Sequence, residues 1–203
     1  RIMQNLMDKT QTELKSLNKE TYMRLFTKML GQIGHNKLKI KEYPEYCVSS
    51  LQLKALLKEY KEKHDFNPDV IMLDYIGCMV PDGRVDPNMN DNSKLRAIAA
   101  QVRSIGLVEQ IPIISAMQAN RGGYGKAEMG LDDAADSFGQ TMKADAIFGV
   151  TQTPEMKAAD MYTVKLLKTR YGMPKAPIVT IGVDIEKQKI YDNYEVQIAK
   201  ARQ

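Results

Sequence analysis

The chain has 203 residues, 43% of them hydrophobic and 27% charged, which is the make-up of a soluble globular protein with one sizeable core. No apolar run approaches the ~20 residues of a membrane span and no cationic-plus-apolar leader of the secretory type opens it, so a cytoplasmic location is expected. The net charge of +4 is compatible with a polyanionic partner, but basic and acidic residues are mixed along the chain, so position must decide.

Residues 1 to about 33 have apolar residues at helical spacing, with a break expected near Ser16-Leu17-Asn18. Asn18 with Glu20 in the following turn reads as a new helix start, and Gly31 and Gly34 as its close. The first residue is Arg rather than Met, and the expectation is a fragment of a longer protein. A short strand at Leu38-Lys39-Ile40 is predicted next. Ser49 or Ser50 then caps a helix whose Leu51, Ala55 and Leu56 are expected to face the core. Cys47 and Cys78 lie far apart, with no CxxC and no paired histidines nearby. They suggest neither a zinc site nor a disulfide framework and read as buried free thiols.

The run Asp69-Val70-Ile71-Met72-Leu73-Asp74-Tyr75 is an almost unbroken apolar strand, the pattern of a parallel sheet covered on both faces. After the turn-rich stretch 81–93, a helix carries Leu95, Ile98, Ala99, Val102 and Ile105 on one side, and the strand Ile111-Pro112-Ile113-Ile114-Ser115 follows. Strand, helix and strand at this spacing form a βαβ unit with an expected right-handed crossover. A polar loop then leads to the strand 144–153. The segments 161–172 and 176–193 complete the sheet with antiparallel character, and residues 194–203 read as a polar tail. The fold class is α/β.

Ligands collect at the carboxyl ends of strands in such sheets, and Asp74 and Gln118 both occupy such ends. A carboxylate closing an apolar run is costly unless something pairs with it, and hydrated magnesium on nucleotide phosphates is one such partner. A cap on the following turn is the plain alternative. The Gln118 amide can donate to a phosphate oxygen while its carbonyl orients a water, although an ordinary surface glutamine reads the same way. Lys168 and Arg170 are two residues apart on a strand and are expected on one face, where they call for an anion. A phosphate supplied by a neighbouring subunit would serve, with Arg170 as a finger in trans. A solvated basic edge strand is the alternative.

The segment Arg121-Gly122-Gly123-Tyr124-Gly125-Lys126 looks at first like a phosphate loop. It fails as one, because G-x-x-x-x-G-K-[ST] needs a hydroxyl after the lysine and Ala127 stands there. Its glycines, its two cations and Tyr124 suit single-stranded nucleic acid instead, or simply a surface loop.

Taken in order, "VIMLDYIGCM", "IPIISAMQANR", "DDAADSFGQTMKADAIFGV" and "VKLLKTRYG" resemble the later motifs of DnaB-type replicative helicases, especially the hexameric helicases of tailed phages. The resemblance runs from the first helix to about Asn193. It implies a RecA-like, mainly parallel sheet flanked by helices, with antiparallel strands at the carboxyl-terminal edge. Residues 1–193 would be part of the motor domain, with 194–203 as its tail. It further implies ATP and Mg²⁺ as cofactors, Asp74 as the Walker B carboxylate holding Mg²⁺ through water, and Gln118 as the γ-phosphate sensor. Lys168 and Arg170 would be the pair reaching into the neighbour's ATP site.

The partners implied are single-stranded DNA, a homo-hexamer with ATP sites between subunits, a primase and a helicase loader. Loops near residues 80–92 and 121–139 would grip DNA, with Arg121, Lys126, Asp136, Ser137, Gly139 and Lys143 as its contacts. Cellular DnaB proteins have an Arg-Glu-Ser-Gly run where this chain has Ala135-Asp136-Ser137-Phe138, so backbone amides, Lys126 and Lys143 would replace an arginine. The family's P-loop and catalytic glutamate lie upstream of a helix like the one at Arg1, so residues 1–203 alone are not expected to hydrolyse ATP. A RecA-like recombinase or other RecA-fold ATPase, and a non-catalytic scaffold, are the alternatives.

Overall fold

The computed structural model describes residues 1–34, 37–83, 89–118, 130, 143–172 and 178–192. Three helices open it: α1 (Ile2–Met7), α2 (Gln11–Ser16) and α3 (Lys19–Ile33). The expected break at Leu17 is present, with Asn18 capping α3 by accepting from the Thr21 amide. A second break escaped the sequence reading. Asp8 turns left-handed at φ 55°, and Thr10 with Glu13 forms a reciprocal capping box at the start of α2. Two local caps therefore outweigh a helical apolar pattern that continues through them.

α1 is fastened to the far end of the chain. Gln4 Nε2 donates to the Glu186 carbonyl at 2.8 Å, Asn5 Nδ2 donates to the Gln188 carbonyl at 2.7 Å, and Asp8 pairs with Lys189 at 2.8 Å. The predicted strand at 38–40 does not form. The segment is irregular and exposed, and no strand among the described residues lies beside it to pair with.

Helix α4 (Ser50–His64) starts at Ser49, whose amide donates to Gln52 Oε1. It buries Leu53 and leaves Leu51 exposed, so the core stripe is shifted from the expected one. Strand β1 (Ile71–Leu73) pairs in parallel with β2 (Ile113–Ser115) through the crossover helix α5 (Asp91–Glu109). The apolar side of α5 is as expected: Ile98, Ala99, Val102 and Ile105 are buried. The first three pack with Ile76 and Met79, and Val48, Leu73, Leu95 and Ile113 close around them. Fully burying one such isoleucine contributes about 1.5–3 kcal/mol. At Gly106 the helix approaches the chain entering β2 so closely that a Cβ would sit 3.0 Å from the Ile111 carbonyl.

The remaining strands form a separate antiparallel sheet in the order β3 (Ala146–Thr151), β4 (Met161–Thr169), β5 (Ile178–Asp184) and β6 (Lys189–Asp192). The short helix α6 (Pro154–Ala158), capped by Thr153, joins β3 to β4. The parallel part and the antiparallel carboxyl-terminal part are thus both present, the first as a two-stranded pair among the described residues.

Two expectations need correction. The parallel strands are not covered on both faces, since Met72 is 74% and Ile114 55% exposed, as are Phe148 and Val150 on β3. Alternation along a strand fixes two faces, and among the described residues only one is packed on α5. Cys47 is exposed and Cys78 only partly buried, so the thiols are free but not core residues; Cys47 lies in the irregular segment before α4. The tail 194–203 lies outside the described residues.

Candidate nucleotide site and arginine cluster

β1 ends in a turn that carries Asp74 outward, followed by a cis Asp74-Tyr75 peptide and a 3-10 turn at Ile76–Cys78. A Cβ on Gly77 would lie 2.6 Å from the Tyr75 ring, so glycine is what lets that ring fold back over the turn. The turn is tied to β2 by Ser115. Its hydroxyl donates to the Leu73 carbonyl at 2.9 Å and accepts from the Ile76 amide at 2.9 Å, bracketing Asp74 on both sides. Gln118 follows three residues along the chain from Ser115, past the same end of the parallel pair, and is exposed.

Asp74 is exposed rather than buried, so its charge is solvated. It belongs to no cluster of three metal-ligating side chains, and none exists among the described residues. An exposed single carboxylate suits Mg²⁺ that keeps its waters and takes its other ligands from phosphates.

Lys168 and Arg170 lie at the far end of β4, in a different setting. The β3–β4 ladder pairs Phe148 with Leu166 but Ile147 with Lys168, leaving Leu167 as an extra residue. This bulge puts Lys168 on the side of buried Ile147 instead of the exposed Phe148 side. Arg170 continues the pairing by donating its amide to the Asp145 carbonyl at 2.9 Å. Asp145 Oδ1 then receives two guanidinium groups: Arg170 Nε at 2.9 Å and Arg103 NH2 of α5, also at 2.9 Å.

Lys168 joins the same group. Burial first, then the nearby Arg170 and Arg103, depress its pKa, while Asp145 opposes them. The two cations expected on one face are therefore together, in a cluster of three cations around one carboxylate. Arg103 and Asp145 were missed. Arg103 reads as an ordinary polar position on α5, and Asp145 precedes a strand like any loop residue, so only the fold reveals their meeting.

Asp82 is a further residue the sequence did not single out. It holds the start of α4, accepting from the Ser50 hydroxyl and from the Leu51 amide at 3.0 Å, while its own amide donates to Gln101 Oε1 of α5 at 3.1 Å. The base of the loop expected at 80–92 is thereby fixed to two helices, and residues 84–88 lie outside the described residues. Of the expected DNA contacts, Lys143 is half-buried two residues before Asp145. Arg121, Lys126, Asp136, Ser137 and Gly139 lie outside the described residues.

Among proteins of known identity, the DnaB-like replicative helicase of Enterobacteria phage T4 is 30% identical over 137 residues, which is 67% of this chain. The chain belongs to the DnaB-like replicative helicases. It spans only 29% of that relative's length. No family model matches. Among solved structures, a DnaB-like replicative helicase studied for its interactions with primase superposes with a TM-score of 0.73 at 15% identity, over 93% of this chain and 46% of its own. A second solved structure, an isolated ATPase domain, does so with a TM-score of 0.72 at 16% identity, over 94% of this chain and 68% of its own. The fold is that of a RecA-like helicase ATPase domain.

Proposed function

We propose that these residues are the carboxyl-terminal part of an ATP-dependent replicative helicase motor, which translocates on single-stranded DNA and unwinds duplex at the fork. The observation that carries this reading is the placement of Asp74 and Gln118 past one end of the parallel pair. Ser115 joins the two strands there.

Asp74 would hold the magnesium of bound ATP through water, and Gln118 would contact the terminal phosphate. Bound magnesium offsets phosphate charge during transfer. Arg170 and Lys168 would complete the site of an adjacent subunit in a homo-hexamer, with a primase and a loader as partners in the cytoplasm of a phage-infected cell. Arg121, Lys126 and Lys143, with the backbone at Asp136, Ser137 and Gly139, would hold the DNA.

The P-loop of this motor would be supplied by polypeptide outside residues 1–203. That reading is supported by the outer edges of β2 and β3, unpaired among the described residues, and by the exposed Met72, Ile114, Phe148 and Val150. Such surface suits further strands of one sheet.

The test is DNA-stimulated ATP hydrolysis and displacement of a strand from a forked duplex by the full-length protein. Asp74→Asn is expected to remove both, and retention of wild-type rates by that variant would overturn the reading.

A further inference from the structure

Asp145 holds Arg170 through a main-chain bond and a side-chain ion pair at once, while Arg103 holds Asp145 from the helix behind. The Nε of Arg103 is buried with no hydrogen-bond partner among the described residues, so this guanidinium engages Asp145 through its outer nitrogen. Packing fixes where Arg103 starts: Val102 is buried against the turn after β1, and Ile105 is fully buried one helical step further on. Three partly exposed groups in such a chain keep a long, flexible arginine in one place at little cost in rotamer entropy at the moment of reaction.

We propose that Asp145 and Arg103 are positioning residues for the finger: Asp145 presets the Arg170 guanidinium, and Arg103 fixes Asp145 to α5. This rests on the reading of Arg170 as a residue that acts on a neighbour's phosphates. One carboxylate between two guanidiniums leaves an excess of positive charge, which favours an anion approaching the exposed side of Arg170. The ion pair with Asp145 is made through Nε, whereas a fork onto phosphate oxygens would use the terminal nitrogens. Since α5 also packs on the turn that follows Asp74, the finger is mounted on the same helix that supports the chain's own magnesium carboxylate.

A merely structural ion pair would tie α5 to the sheet and do nothing more. The two roles separate in a double-mutant cycle on the full-length protein. Asp145→Asn is expected to lower kcat for DNA-stimulated ATP hydrolysis by on the order of tenfold to a hundredfold, with KM for ATP unchanged, as for a group misplaced by an ångström. Asp145→Glu should recover part of the loss. In an Arg170→Lys background the same Asp145→Asn change should cost nothing further, because the group it positions is already altered.

Wild-type kcat in Asp145→Asn, or losses that multiply in the double variant, would overturn the proposal. If Asp145→Asn does not fold, Arg103→Gln tests the second arm and should give a smaller loss, likewise absent in the Arg170→Lys background. Failure of the finger reading has a different signature: Arg170→Ala would then leave kcat untouched, and the roles of Asp145 and Arg103 would fall with it. Loss of activity in Arg170→Ala beside normal activity in Asp145→Asn would remove only the positioning role.

Discussion

Ser115 and Leu73 face one another across the parallel ladder, and the serine hydroxyl donates to the leucine carbonyl at 2.9 Å. The same hydroxyl accepts from the Ile76 amide, so one side chain satisfies a carbonyl and an amide on either side of Asp74. Ser115→Ala removes both bonds and is expected to cost about 1–3 kcal/mol of stability, at roughly 0.5–1.5 kcal/mol each. It should also raise the magnesium concentration needed for ATP hydrolysis by the full-length protein, because the turn carrying Asp74 loses its brace. Ser115→Thr, which keeps the hydroxyl, should restore the magnesium dependence. Chemical denaturation and a magnesium titration of the initial rate check both.

Asp82 offers a prediction in pH. Burial pushes its carboxyl up, but hydrogen bonds from Ser50 and the Leu51 amide, with Lys54 nearby, outweigh burial and hold it below the ordinary value of 3.8. A folded pKa below the unfolded one means that the carboxylate stabilises the fold above the unfolded value. That contribution is lost as pH falls through the folded value. Asp82→Asn is therefore expected to destabilise by about 0.5–2 kcal/mol at neutral pH, the usual loss at a helix N-terminus. The gap between the two proteins should close below pH 3.8. Urea denaturation at neutral pH and well into the acid range measures the difference.

Much of this site was legible because its residues stand at strand ends. A hydrophobic run closed by Asp74, a second closed near Gln118, and a helix with a clean apolar stripe between them determine a parallel pair with its carboxyl end exposed. What was not legible arises between segments distant in sequence. The side on which Lys168 and Arg170 lie depends on one extra residue, Leu167, that no periodicity shows, because a bulge is a property of two strands together. Arg103 and Asp145 are 42 residues apart and acquire meaning only when α5 lies behind β3. The break at Asp8 was missed for the opposite reason: it is local, but a continuing apolar rhythm hid a capping box at Thr10 and Glu13.

Arg170→Ala is expected to abolish DNA-stimulated ATP hydrolysis, by on the order of a thousandfold or more for a finger acting in trans, while nucleotide binding stays close to wild type. Asp145 would then keep its pair with Arg103, so little stability should be lost beyond about 1 kcal/mol for a partly exposed pair. Fluorescent-nucleotide titration beside the rate measurement distinguishes the outcomes. Loss of nucleotide binding in place of turnover would mean that Arg170 does not serve a neighbour's phosphates.

The loop that follows Gln118 carries the remaining prediction. Arg121 and Lys126 bracket three glycines and Tyr124, a composition suited to backbone phosphates with a stacking ring, and its lysine is followed by Ala127 where a phosphate loop needs a hydroxyl. Replacing both cations by alanine should weaken single-stranded DNA binding and flatten its dependence on salt. Each lost phosphate contact lowers the slope of log K against log salt by roughly 0.7 on a single strand. The intrinsic, DNA-independent ATP turnover should change little, since neither residue is assigned to the nucleotide. Fluorescence anisotropy of an oligonucleotide across a salt series gives the slope directly, and an unchanged slope would mean that this loop makes no phosphate contact.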